Sequence, residues 1–456
     1  MNFYAIDLFA GCGGLSEGFK QAGFNVIAQV EMDKWACETL KPRCLYYKLK
    51  ERKKLYWYLK YLKGEKTKDE IYKRFPDIKK EVDLEVIKAE FGKDDAEGIL
   101  NGVEDVRKYY GAPKFHVVLG GPPCQPYSLA GTARRNLEKT GEDKGNRHLL
   151  YKYYLKILEE LQPDIFVYEN VPGMITTTGK GGEIFQRILN DFQSLKPSYN
   201  ITPPLDKLSK NPTSYILNSA HFGVPQNRKR IILIGYRSDL LQRNQSIQEI
   251  FRMIQKKADN NRRRGKLTVD DAIGDLPHLK PGEGNDSWFG PYNEGTDLKF
   301  YQLAMRRGSP GILNHKARTH MESDLERYKY FIEKHKNGNH NVTIRDLKEE
   351  RPDLMPKHKN LGGFLDRFKV QWWNRPSSTI TAHICKDGHY YIHPDISQCR
   401  SFTVREAARC QSFPDNFKFE GPRTEQFRQV GNAVPPLLGN VIAKNILREL
   451  KSIYGE

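Results

Sequence analysis

Short apolar runs recur along the first half of the chain, and a stretch of helical period separates most of them. Residues 3–9, "FYAIDLF", predict a buried strand, followed by the glycine-rich "AGCGG" and the helical stretch "LSEGFKQAG". "NVIAQVEMD" is a second strand that ends in acidic residues. "FHVVLGG", "PDIFVYENV" and "KRIILIGYR" are three more, with helical patterns such as "LLYKYYLKILEELQ" between them. Strands alternating with helices predict an α/β fold with a doubly wound, mostly parallel sheet. Two regions break this rhythm. Residues 41–100 are dense in Lys and Glu with interleaved aromatics, which predicts an exposed helical insertion or, alternatively, an added nucleic-acid contact. Residues 241–400 lose the alternation and predict a second, smaller, loop-rich domain. Helical patterning returns over 401–456, which is expected to complete the first domain, residues 1–240.

Composition narrows the partner. The chain has 456 residues, of which 74 are Lys or Arg and 56 Asp or Glu, a net charge of +18 that favours a polyanion. The seven cysteines are scattered and form no C-x-x-C, so neither a disulfide framework nor a zinc ribbon is supported, and a reducing intracellular setting follows. His383, Cys385, His389 and His393 lie close in sequence but match no zinc spacing, so no metal is expected. No signal peptide precedes the first strand and no apolar run reaches membrane-spanning length. A cytoplasmic protein without a membrane partner is the expectation.

Candidate chemistry sits at the strand ends. Gly11, Gly13 and Gly14 make a strand-to-helix turn that lets a ligand approach the backbone, but Ser16 stands where a dinucleotide fingerprint needs glycine. Glu31 ends the second strand, where a carboxylate can accept ribose hydroxyls or simply face solvent. In "GGPPCQPYS" two prolines and two glycines precede Cys124, so the strand stops and a loop begins. That cysteine can be a nucleophile, a metal ligand or a small apolar filler. Glu169 and Asn170 end a strand at the edge where such sheets bind ligands. Gln226, Arg228 and Arg230 open another, and strict alternation would turn both arginines to one face.

Taken in order, "DLFAGCGG", "GGPPCQPYS", "ENV", "QNRKR", "TVREAARCQSFPDNF" and "QVGNAVPP" resemble the DNA (cytosine-5)-methyltransferase family, over residues 1–40, 103–240 and 372–450. The resemblance implies a class I, Rossmann-like methyltransferase domain with a target recognition domain. It implies methyl transfer from S-adenosylmethionine to carbon 5 of a flipped-out cytosine in duplex DNA. Cys124 would be the nucleophile, Glu169 would contact ring nitrogen 3, and Arg230, supported by Arg228, would reach the base carbonyl. Phe9, Gly11, Gly13, Gly14 and Leu15 would line the donor pocket with Glu31 on the ribose. Met32, Asp105, Val106 and Leu150 would surround the adenine, and Asn432 and Val434 would close the methionine end. Ser128, Arg134, Arg135, Arg147, Gln226 and Thr379 are the implied DNA contacts. The expected role is the modification enzyme of a restriction system, a monomer whose cognate endonuclease acts separately. Two alternatives are a transfer-RNA methyltransferase of the same chemistry and a non-catalytic DNA-binding descendant.

Overall fold

A computed structural model describes residues 1–92, 96–123, 150–176, 181–203, 211–241, 265–293, 295, 297–336, 342–356 and 366–456. Cys124, Ser128, Arg134, Arg135 and Arg147 lie outside the described residues.

The apolar runs form one eight-stranded sheet. Its strands are β1 (Tyr4–Leu8), β2 (Asn25–Glu31), β3 (Val86–Lys88), β4 (Val117–Gly120), β5 (Ile165–Asn170), β6 (Tyr199–Thr202), β7 (Ile216–Asn218) and, after the two-residue β8 (Gln226–Asn227) of another sheet, β9 (Lys229–Arg237). The order is β3-β2-β1-β4-β5-β9-β6, with β7 also on β9. Strands β1 to β5 pair in parallel, whereas β9 runs antiparallel to β5, β6 and β7. The sheet is thus doubly wound and mostly parallel.

Both faces are covered, which is why the strands are continuously apolar. Ile6, Val118, Phe166 and Leu233 face one core with helices α6 (Ala96–Tyr109), α7 (Leu150–Leu161) and α8 (Gly181–Gln193). Ala5, Val117, Val167 and Ile232 face the other, with α1 (Gly14–Ala22) and the long C-terminal α11 (Pro436–Ile453).

The segment expected to be an exposed insertion is better packed than its charge suggests. Helices α2 (Lys34–Glu51), α3 (Leu55–Leu62), α4 (Lys68–Arg74) and α5 (Pro76–Glu85) enclose a core of Leu45, Leu49, Tyr58, Leu62, Ile71 and Val82, which continues onto Leu313. It ends in β3, so the insertion also supplies an edge strand of the sheet.

Residues from 265 onward build a second layer around an antiparallel pair, β10 (Gly284–Gly290) and β11 (Ile312–Lys316). The boundary expected at 401 does not mark a change of packing. Helices α9 (Val404–Cys410) and α10 (Arg423–Asn432) share a core with Val269, Met305, Ile312 and Ile384, and α11 is the helix that returns to the sheet. No helix among the described residues is long and apolar enough to cross a membrane.

Candidate active site

At the end of β1 the backbone turns left-handed: Phe9 has φ 57°, Gly11 55° and Gly13 86°. The turn is held from below by β2. The Gly11 amide donates to Glu31 Oε2 at 2.7 Å, and the Asp33 amide donates to Oε1 at 2.8 Å. Burial pushes the Glu31 carboxyl above its ordinary pKa, and these two amides pull it back. Each of its oxygens keeps a lone pair for a further donor. Gly14 is required by contact: a Cβ there would lie 2.2 Å from the Val434 carbonyl oxygen and 3.1 Å from the Ala433 Cβ. The 432–434 turn therefore sits directly on the glycine loop. Around Gly11, by contrast, a Cβ would meet nothing within 4 Å. Leu15 and Val434 belong to the core beneath α1, whereas Asn432 is exposed and Met32 is 52% exposed.

The wall beside this cradle is not the one expected from sequence. Asp105 is exposed in the middle of α6, and Val106 points into the core, so neither stands at a strand end. The residues at that place follow β3. The Ala89 amide bonds the Glu31 carbonyl at 3.0 Å, and Glu90 and Phe91 come next. The Phe91 ring lies 4.6 Å from that of Phe9 and 6.1 Å from that of Tyr153. Leu150 joins the same cluster. The signal was present in "EVIKAEFG", a short apolar run closing on an acidic residue as "NVIAQVEMD" does. The charged insertion before it obscured the strand.

Three strand ends meet at the same edge. β4 ends at Gly120 and leads through Gly121, Pro122 and Pro123 toward Cys124. A Cβ on Gly121 would fall 2.6 Å from Glu169 Oε2, so this glycine lets the Glu169 carboxylate lie against the loop. Asn170 Nδ2 donates to the Pro122 carbonyl at 3.2 Å, tying the end of β5 to the same loop. From β9, Arg230 Nε pairs with Glu169 Oε1 at 2.7 Å, with both side chains largely buried. Burial lowers the Arg230 pKa, and the Glu169 charge opposes that shift.

Arg228 and Gln226 do not face this edge. The chain breaks between β8 (Gln226–Asn227) and β9, so the alternation that would align Arg228 with Arg230 is interrupted. Arg228 is fully buried and donates to the carbonyls of Ile380 (2.6 Å) and Gly431 (3.1 Å), which makes it a positioning residue. Burial and the nearby Arg230 charge hold its pKa well below the ordinary value. Gln226 is equally buried, donating to the Cys410 carbonyl and to Gln411, and is closed to direct DNA contact. Thr379 is partly exposed and its hydroxyl donates to the Asn227 carbonyl at 2.6 Å. No group of three or more His, Cys, Asp or Glu placed to hold a metal occurs among the described residues.

A parallel sheet with one antiparallel strand beside β5, a glycine turn after β1 and an acid closing β2 together define the class I methyltransferase fold. The model of the C-5 cytosine-specific DNA methylases matches residues 3–55 and 88–448. The chain belongs to that family and is a DNA cytosine-5 methyltransferase. It is 41% identical to type II methyltransferase M.Bpa9945I of Bacillus paralicheniformis, over 97% of this chain and 98% of that one. It is 29% identical to type II methyltransferase M.DdeI of Desulfomicrobium norvegicum, over 97% and 88%. Among solved structures it is similar to a candidate DNA modification methyltransferase from an E. coli prophage, with a TM-score of 0.60 and 22% identity over 99% and 100% of the two chains; that likeness concerns the fold.

Proposed function

We propose that this enzyme is the modification methyltransferase of a type II restriction-modification system and acts through a covalent Cys124 adduct with S-adenosylmethionine as donor. The observation that carries the mechanism is the Glu169–Arg230 pair, 2.7 Å apart beside the loop that leads to Cys124. Similarity to type II methyltransferases along nearly the whole chain supports the biological role.

The donor fits the residues present. The open left-handed turn at Gly11, the Glu31 carboxylate with lone pairs to spare, the Phe9–Phe91 wall and exposed Met32 and Asn432 form a cradle of the required chemistry. S-adenosylmethionine bound there supplies an electrophilic methyl group. Carbon 5 of cytosine is a poor nucleophile, so the Cys124 thiolate adds to carbon 6 of the flipped base. The π electrons move toward ring nitrogen 3, which Glu169 contacts, and Arg230 donates to the base carbonyl oxygen. Carbon 5, now enamine-like, would take the methyl and leave S-adenosylhomocysteine; water then takes the carbon 5 proton, and the freed electron pair restores the 5,6 double bond and expels the Cys124 thiolate. Thr379, Ser128 and Arg147 contact the duplex, with the target recognition domain, residues 241–400, reading the sequence. The enzyme works as a cytoplasmic monomer, and its cognate endonuclease is a separate protein.

Bisulfite sequencing of a host expressing the chain tests this reading and reveals the target motif. Wild type marks one motif with 5-methylcytosine, and Cys124→Ser lowers incorporation by about a thousandfold or more. Unchanged methylation by that variant would remove the covalent mechanism.

A further inference from the structure

The proposed donor pocket and the segment carrying Thr379 are joined by a continuous buried hydrogen-bond network. On the recognition side, Ser377 and Ser378 pair in parallel with Gln226 and Asn227. The Ile380 amide donates to Gln226 Oε1 at 2.9 Å. Gln226 Nε2 in turn donates to Gln411 Oε1 at 3.1 Å. Gln411 Nε2 donates to the carbonyls of Val430 at 2.7 Å and Ala433 at 3.4 Å, which flank Asn432. Arg228 closes the circuit, holding the Ile380 and Gly431 carbonyls with its two terminal nitrogens. Gly431 has no room to shift: a Cβ there would lie 2.3 Å from the Ala382 amide.

The energetics point the same way. Gln226, Arg228 and Gln411 are all fully buried. Among the described residues Arg228 has no ion pair, and its Nε has no hydrogen-bond partner. A buried cation without a carboxylate is costly, and apolar side chains of similar volume would be cheaper for stability alone. What the polar set does secure is registry between three backbones: the 377–381 segment, the 430–434 turn and the strand that carries Arg230.

From this geometry we infer that Gln226, Arg228 and Gln411 are positioning residues that couple occupancy of the methyl-donor pocket to the conformation of the DNA-contacting segment 377–381. The two-state element is this unit, assembled or loosened. The 432–434 turn sits on Gly14, and the Thr379 hydroxyl bonds the Asn227 carbonyl, so a shift of either partner is passed to the other. Coupling through such a unit is reciprocal: donor binding prepares the segment for DNA, and DNA tightens the donor. The inference rests on the proposed donor site.

The first measurement needs no variant. Amide hydrogen exchange of the full chain is followed with and without S-adenosylhomocysteine. Slower exchange at 430–434 accompanied by slower exchange at Ile380 and Thr381 is the expected result. Protection confined to the pocket would overturn the coupling while leaving the donor site standing. Absence of any binding would instead overturn the donor site, and the coupling with it. The second measurement is the ratio of S-adenosylhomocysteine Kd without and with a duplex bearing the motif methylated in the expressing host. It should be about 5-fold or more in wild type. Gln411→Met keeps the side-chain volume, and Arg228→Lys keeps the charge but offers a point donor instead of a fork. Both should bring the ratio toward one. A purely structural role would lower the melting temperature and leave the ratio at its wild-type value, which would overturn the inference.

Discussion

Residue by residue, the chemistry at the strand ends follows from what each side chain can still offer after its neighbours are satisfied. Phe91 shows this for the proposed donor pocket. It lies between Phe9 and Tyr153 at the end of β3, and Asp105 lies exposed on α6. Phe91→Ala should weaken S-adenosylhomocysteine binding about 10-fold or more, as expected for losing a buried ring worth about 1.5 kcal/mol or more. Asp105→Ala should leave it within about 2-fold in the same calorimetric titration; the opposite ranking would restore Asp105 to the pocket. Asp7 makes a pH prediction. It is buried in β1 with the Ser16 hydroxyl donating to its carboxylate, and burial raises its pKa from 3.8 to about 7. Across that window the unfolded chain has released the proton and the folded chain has kept it, so rising pH favours unfolding. Asp7→Asn removes this penalty. Its stability relative to wild type should be smallest near pH 4 and grow up to about pH 7, by an amount on the order of a few kcal/mol, as read from urea denaturation at each pH. A difference that stays flat with pH would mean that Asp7 is ionised in the folded protein throughout.

At the level of elements, α9 is the helix whose sequence is most misleading. "REAAR" carries two arginines in five residues, yet Arg405 and Arg409, with Arg400 just before the helix, are among the largest fully buried side chains. Thr403 caps the helix by accepting from the Glu406 amide, and Arg400 holds both Glu406 oxygens. Arg409 grips Asp415 with Nε at 2.5 Å and Asp275 with Nη1 at 3.0 Å. Arg409→Met would remove the cation that two buried carboxylates share, leaving Asp275 to Arg306 at 2.7 Å and Asp415 to Arg405 at 3.8 Å, and should cost about 3 kcal/mol at neutral pH by urea denaturation. Adding Asp275→Asn and Asp415→Asn should recover part of that loss, and no recovery would assign the cost to packing alone. The elements that could be read from sequence share one property: their side chains repeat. Strands covered on both faces are uninterrupted apolar runs, so β1, β2, β4, β5 and β9 are plain. The Glu169–Arg230 pair could be anticipated because each residue ends or opens such a run. Arg228 and Gln226 were misjudged because the break before β9 ends the alternation, a backbone event with no signature in residue type. Burial of Arg405, Arg409 and Arg228 could not be read from sequence. Their partners, Leu313, Asp275 and Ile380, are distant along the chain, and only tertiary contact makes burial of a guanidinium tolerable.

For the whole molecule, the question is what joins the sheet to the second layer, and the insertion is a large part of the answer. Residues 56–87 fall between the two segments matched by the family model, so this device is an addition to the common plan. Its core packs on α2, which follows directly from the acid-tipped strand β2, and also reaches Leu313 of β11. The Tyr58 hydroxyl donates to the Asn416 carbonyl at 2.9 Å, and Tyr61 donates to Glu420. Beside them Arg43 of α2 binds Glu17 of α1 through Nε at 2.7 Å and Asn416 Oδ1 through Nη1 at 3.0 Å. One side of the insertion is thus fixed to α1 and the other to the loop after α9. Its exposed charges are of both signs, with Lys63, Lys73, Lys79 and Lys80 beside Glu65, Asp69, Glu70 and Asp77. Removing both hydroxyls, Tyr58→Phe with Tyr61→Phe, deletes two bonds across this junction and leaves the aromatic packing in place. The cost should be about 1–3 kcal/mol, set by the carbonyl and the carboxylate left without their donors. Because the lost bonds lie between layers, the effect should show as broken cooperativity: one calorimetric transition in wild type should divide into two in the variant. A single, unshifted transition would show that the insertion braces nothing, and its exposed lysines would then be the part to examine for a role with DNA.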